Sequence, residues 1–223
     1  ALLLGFGIAA KLNPVILLPA FMFEFSLNKK RMIGFVILSL LPSFILMVCA
    51  ALIYPTPKEV FTNVIYFKGV NSISWGIGGV CWVLASFFEH GVDIPFVKQL
   101  IEIFWEWNTY YGHFIFYGFV GISSLIYFRK IPLLQRIICT YLGYYVFTNY
   151  CSTQHIVWIL PFLFFGKYSF SAGFHFWANL AVGVYSPFAT MGILHIEKIS
   201  KVFPFFAGCL WAYACYSLFR ILV

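Results

Sequence analysis

MIGFVILSLLPSFILMVCAALIY, running from Met32 to Tyr54, contains no charged side chain. At a helical rise of about 1.5 Å per residue it is long enough to pass the ~30 Å hydrocarbon core of a bilayer. A strand of a membrane barrel would alternate apolar and polar residues over about ten positions, and this stretch does not alternate. It therefore reads as a membrane helix. Pro42, which has no N–H for the carbonyl four residues back, predicts a kink within it.

The rest of the chain has the same character. Of 223 residues, 62% are hydrophobic and 9% charged, with a mean hydropathy of +0.92. Soluble domains carry about a quarter charged residues, so a water-soluble globule is excluded. The length accommodates about six to eight crossings. We expect an all-α, polytopic transmembrane helix bundle with about seven crossings, forming one domain over residues 1–223. Ala1 opens an apolar run with neither a basic leader nor a cleavage site, so it is not a signal peptide. The expectation is that the chain is the C-terminal part of a longer protein.

Residues Ala1 to Phe25 read as a first helix interrupted by Lys11, Asn13, Pro14 and Pro19. Asn28 to Arg31 is a basic turn, and Met32 to Tyr54 follows as the second helix. Residues 55–108 read as an external or lumenal loop. Within it, Ser72 to Phe88 is apolar but glycine-rich, and either crosses or dips in. Lys98, Glu102 and Glu106 recur every four residues along Asp93 to Glu106, the pattern of a helix lying flat at the interface. Tyr110 to Phe128 crosses next. Two short apolar runs, Ile137 to Tyr150 and Ile156 to Phe165, flank the polar break at residues 151–155. Phe170 to Leu194 and Val202 to Val223 are the last crossings, joined by the polar residues 195–201.

The net charge of +7, from 14 Lys and Arg against 7 Asp and Glu, reads as topology rather than as a nucleic-acid surface, because cytoplasmic loops collect cations. If Ser72 to Phe88 does not cross, one side holds eight cations: Lys29, Lys30, Arg31, Arg129, Lys130, Arg136, Lys167 and Arg220. The other holds five: Lys58, Lys68, Lys98, Lys198 and Lys201. If it crosses, the split becomes six against seven and the Lys29 side loses its surplus. A re-entrant or interfacial segment is preferred on that ground. Glu59, Glu89, Asp93, Glu102, Glu106 and Glu197 then share the outer face with His90, His113, His155 and His195, and titratable chemistry concentrates there.

Three candidate sites follow. Lys11 lies 18 residues before Lys29, about 27 Å along a continuous helix. An intramembrane lysine at that depth either meets an anionic ligand, such as a lipid phosphate, or snorkels to the interface; Asn13 and Pro14 loosen the backbone beside it. Ser152-Thr153-Gln154-His155 sits between apolar runs too short to span alone, so it either lines a polar cavity, with Gln154 and His155 holding sugar hydroxyls or phosphate, or forms an ordinary loop. Glu89, His90 and Asp93 form an acid/base or metal-binding cluster, or else a solvated loop. His113 and His175 read as lying at opposite depths, which excludes a shared haem. Cys49, Cys139, Cys209 and Cys215 lie in apolar runs and read as small hydrophobes. Cys81 and Cys151 read as accessible, with nothing to pair them.

Gly5-Phe6-Gly7-Ile8-Ala9-Ala10-Lys11-Leu12-Asn13-Pro14-Val15-Ile16-Leu17-Leu18-Pro19 resembles a helix of the polytopic GT-C glycosyltransferases, which use polyprenyl- or dolichyl-phosphate sugars. Cys151-Ser152-Thr153-Gln154-His155-Ile156-Val157-Trp158-Ile159-Leu160-Pro161 is similar to a segment of the member that adds the first mannose to GPI precursors. The two motifs come in the family's order. His155 stands where that enzyme has tyrosine, its Arg-His-Asn-rich loop has no counterpart before His113, and the family's catalytic acid, in the first external loop, has none ahead of Lys11.

The resemblance implies a membrane mannosyltransferase of a prokaryotic plasma membrane or the endoplasmic reticulum. A lipid-phosphate-linked sugar would be its donor and membrane lipids its surroundings. A divalent cation stays open as cofactor, and an N-terminal half or partner subunit would supply the catalytic acid. The alternatives are a non-catalytic GT-C-like subunit of a larger membrane complex and an anionic-lipid transporter anchored on Lys11.

Overall fold

The computed structural model describes residues 1–10, 13–25, 28–53, 58, 95–148, 153–191 and 196–223. Among them every regular element is helical, as expected for an all-α chain. Two compact units make up the molecule: residues 1–69 with 128–133, and residues 70–127 with 134–223.

The first unit opens with α1 (Leu2–Ala10), a 3₁₀ turn (Asn13–Leu17), α2 (Leu18–Met22), a second 3₁₀ turn (Phe23–Phe25) and α3 (Lys29–Ile53). One helix over Ala1 to Phe25 is therefore not what forms. Pro14 cannot donate to a preceding turn and disfavours helical geometry at Asn13, which fits a break at this point. Gly5 packs directly on α3: a Cβ there would lie 2.8 Å from the Ser39 carbonyl oxygen and 2.9 Å from the Pro42 ring. The buried Ser39 hydroxyl donates to the Ala1 carbonyl at 3.4 Å. Phe21 and Phe25 both meet Phe35, with ring centroids 6.0 and 5.0 Å away. A straight helix from Gly5 to Phe21 would be about 24 Å long, yet its two contact points on α3 are only ~6–10 Å apart along the axis. The chain does not run straight beside α3; Lys11, whose 27 Å spacing presumed a continuous helix, lies outside the described residues.

The N-terminus of α3 is capped by Asn28, whose Oδ1 accepts the Arg31 N–H at 3.1 Å. The helix thus starts at Lys29, three residues before the apolar run, and Lys29, Lys30 and Arg31 form its first turn. Cations there oppose the helix dipole by about 0.3–1 kcal/mol each, so helix stability does not explain them. Among the described residues α3 is the one helix long and apolar enough to cross a membrane; its most apolar 18 residues have a mean hydropathy of 2.7, and only 6% of that stretch is buried. Ile33, Ile37, Phe44 and Leu52 are all exposed. Phe128, itself fully buried, meets Phe23 edge-on at 5.9 Å. That contact places the Arg129-Lys130 turn at the same end of the unit as the first turn of α3.

The second unit contains α4 (Pro95–Ile126), α5 (Leu133–Phe147), α6 (Thr153–Gly166), α7 (Ser171–Met191) and α8 (Ile196–Leu222). Where the sequence suggested an interfacial helix followed by a separate crossing, α4 runs unbroken for 32 residues. That is about 48 Å, some 18 Å more than the hydrocarbon thickness. The excess corresponds to about twelve residues, the length of Pro95 to Glu106, where the Lys98, Glu102, Glu106 repeat falls. Residues 196–201, expected as a loop, form the start of α8. An acid near a helix N-terminus and a Glu197, Lys201 spacing of four both favour helix there.

Helix α5 sits at the centre, buried on nearly every side from Arg136 to Val146. Tyr144 meets Phe116 of α4 at 5.5 Å, Tyr141 meets Phe162 of α6 at 5.8 Å, and Tyr145 stacks on Phe174 of α7 at 6.3 Å. Three side-chain bonds between these helices share a target. Trp211 Nε1 of α8 donates to the Val146 carbonyl (3.0 Å), Ser171 Oγ of α7 to Leu163 (3.0 Å), and Gln135 Nε2 of α5 to Ile221 (3.2 Å). Each acceptor is among the last four carbonyls of its helix, which have no partner within the helix itself. By contrast Thr140, Thr148 and Ser217 donate to carbonyls four residues back in their own chain segment. At the end of α6 the chain turns through Lys167, whose φ of 50° is the left-handed conformation common just past a helix.

Trp211→Phe keeps an aromatic ring but strands the Val146 carbonyl, and is expected to reduce stability by about 1–3 kcal/mol. Ser217→Ala removes only a bond within one helix and should stay within about 0.5 kcal/mol. Thermal midpoints of the two variants in the same detergent check the contrast; equal shifts would refute the end-capping role of Trp211.

Candidate functional site

The candidate residues fall on two polar interruptions of apolar helices. At the first, α1 ends at Ala10 and the backbone resumes as the 3₁₀ turn that Asn13 opens. Lys11 lies outside the described residues. At the second, α5 ends at Phe147 and α6 begins at Thr153. With 15 and 14 residues, these helices are about 22 and 21 Å long, each shorter than a bilayer core.

Gln154 and His155, read as a break between helices, lie on the first turn of α6. The first four N–H groups of a helix have no acceptor within it, and the aligned peptide dipoles leave that end partially positive. An anionic group is favoured there. Asn13 belongs to the first compact unit, and Gln154 and His155 to the second.

Glu89, His90 and Asp93 lie outside the described residues, as do the segment Ser72 to Phe88, Cys81 and Cys151. Cys49, Cys139, Cys209 and Cys215 are free thiols, with Cys139 buried and Cys49 exposed. Among the described residues no three His, Cys, Asp or Glu side chains gather as a metal site.

Two features escaped the sequence reading. Arg136, counted as a loop cation, is 8% exposed on the central helix. The signal was present, because apolar pairs at Leu133-Leu134 and Ile137-Ile138 frame it at helical spacing. His175 Nε2 on α7 and Ser43 Oγ on α3 are buried without a hydrogen-bond partner, which no pattern in the sequence announces. The opposite depths assigned to His113 and His175 also need correction. Phe116, one turn past His113, and Phe174, next to His175, meet the consecutive residues Tyr144 and Tyr145 of α5. The two histidines are therefore separated in depth by a turn or two of helix, not by a membrane.

No protein-family profile, curated protein or solved structure matches the chain.

Proposed function

We propose that this chain is a polytopic membrane protein with about seven crossings that transfers a sugar, mannose by the resemblance, from a polyprenyl-phosphate donor at the external or lumenal face. The observation that supports it is the pair of polar interruptions. Lys11 to Pro14 and Ser152 to His155 punctuate apolar helices, resemble two GT-C segments and follow their order. Such breaks at membrane depth persist where they line a polar cavity.

In this reading Lys11 contacts the donor phosphate and supports the charge that builds on it as the bond from the sugar C1 to phosphate oxygen breaks. Asn13, two residues on, is a substrate-binding candidate. Gln154 and His155, on the positive end of α6, orient sugar or phosphate. The acceptor hydroxyl forms the new bond to C1 and gives up its proton, and polyprenyl phosphate leaves. No residue of this sequence is assigned as the base; Glu89, His90 and Asp93 stay candidates for proton transfer or for a divalent cation.

The shared location of Lys29 to Arg31 and Arg129-Lys130 supports a topology in which the chain leaves the cytoplasmic side through α3 and returns to it through α4. Residues 54–94 then begin and end on the outer side, and Ser72 to Phe88 dips in without crossing. The site is a prokaryotic plasma membrane or the endoplasmic reticulum.

The test supplies radiolabelled polyprenyl-phosphate mannose to membranes containing the protein and follows label into a new glycosidic product. Product above that of membranes without the protein is expected. Donor moving between leaflets with no product would instead identify a transporter, and neither event would leave a structural subunit.

A further inference from the structure

The first turn of α3 and the turn after α4 are about a hundred residues apart in sequence, yet the fold gathers them at one end of the first unit. Two aromatic contacts do this: Phe128 edge-on to Phe23 at 5.9 Å, and Phe25 against Phe35 at 5.0 Å. The Asn28 N–H then donates to the Phe25 carbonyl at 2.9 Å and starts α3 immediately beyond. Lys29, Lys30, Arg31, Arg129 and Lys130 are all exposed. Glu24 is exposed as well, so the described charged residues within 23–31 and 128–130 are five cations and one carboxylate.

Three of these cations stand at the end of a helix where the backbone dipole is already positive, so the helix itself does not account for them. What lies next along α3 says what does. Met32 to Ile53 covers about 33 Å, close to the ~30 Å thickness of bilayer hydrocarbon, and exposed Ile33, Ile37 and Phe44 belong to it. With that stretch in hydrocarbon, the cations fall at the depth of lipid headgroups. We propose that these five residues form one docking surface for anionic phospholipid headgroups of the cytoplasmic leaflet, selecting them over zwitterionic ones. The proposal rests on the membrane reading above and adds a lipid class to it. Each cation near an anionic surface strengthens association by about fivefold, and salt screens the effect.

The intact chain is reconstituted in nanodiscs of phosphatidylcholine and phosphatidylglycerol in a 7:3 ratio, and association of spin-labelled phosphatidylglycerol is compared with that of spin-labelled phosphatidylcholine. A preference for phosphatidylglycerol of about fivefold or more at low salt is expected, falling toward unity in 1 M salt, where the screening length is about 3 Å. R129Q/K130Q and K29Q/K30Q/R31Q should each lower the preference, and the five-fold substituted chain should abolish it. Equal association of both lipids in the unsubstituted chain overturns the proposal, as does a preference that salt leaves unchanged. So does a preference that R129Q/K130Q leaves intact, because the two segments would then not act together. The salt series needs no variant, so the result survives any folding defect. Recovery of the protein in the aqueous phase after alkaline extraction would overturn the membrane reading itself, whereas an inserted protein without lipid preference overturns only the docking surface.

Discussion

Gly5→Leu is expected to destabilise the protein by about 3 kcal/mol, the upper end for an overpacked contact. Gly34→Ala, on the partner helix α3, should instead stabilise it by up to about 1 kcal/mol through helix propensity. The difference lies in what each new side chain would meet. At Gly5 even a single Cβ would sit 2.8 Å from the Ser39 carbonyl oxygen and within 3.0 Å of two atoms of the Pro42 ring. A backbone oxygen and a proline ring cannot swing aside, so α1 must move away from α3, and the Ser39 to Ala1 hydrogen bond opens with it. At Gly34 there is nothing within 4 Å. Thermal midpoints of both variants in the same detergent give the signs directly, and a Gly5→Leu midpoint equal to that of the unsubstituted protein would remove the close approach. Gly5 also opens the segment that resembles the GT-C helix. The packing supplies a physical reason for glycine there: it seats α1 on α3 six residues before Lys11.

Particular residues show how far the sequence could carry the fold. Helix α3 was legible because nothing charged interrupts Met32 to Ile53, but its start was not. Lys29 to Arg31 look like a loop until the Asn28 cap shows that the helix has already begun. Conversely, the amphipathic stretch to Glu106 and the apolar stretch from Tyr110 look like two elements, yet they form one helix. Hydropathy reports where a helix meets water, not where it ends, and no proline interrupts the helix after Pro95. Pro14 and Pro19 announced that the first segment is broken, yet the way it folds back onto Phe35 depends on contacts between distant residues. The centrality of α5 was hidden for the same reason. Its tyrosines and Arg136 look amphipathic in isolation and become core only when four helices surround them. Of the candidate site, the two interruptions were legible as polar residues in apolar runs. The placement of Gln154 and His155 on a helix turn was not, because a short polar link and the first turn of a helix carry the same residue types.

Lys11→Ala is expected to reduce sugar transfer by 10²- to 10³-fold, or about 2.7–4 kcal/mol of transition-state stabilisation. That is the range for removing one fixed donor from a site where negative charge develops, which in the proposed transfer is the leaving phosphate. Lys11→Arg should retain part of the activity, since the charge remains but the planar guanidinium replaces a compact ammonium. The snorkelling alternative makes the opposite forecast. A lysine that merely reaches for the interface contributes nothing to turnover, and replacing it with alanine makes the segment more apolar and easier to insert. Transfer would then be unchanged and insertion improved. The two readings thus differ on turnover, a loss of about 10²- to 10³-fold against none, while neither expects insertion to fall. Measuring both in the same membranes separates a lysine held for a phosphate from one tolerated despite the lipid. If activity falls while the inserted fraction stays level or rises, misfolding does not explain the loss. Gln154→Ala should then show a smaller fall in the same assay, because the peptide dipoles of α6 remain to favour the anion after the side chain is gone.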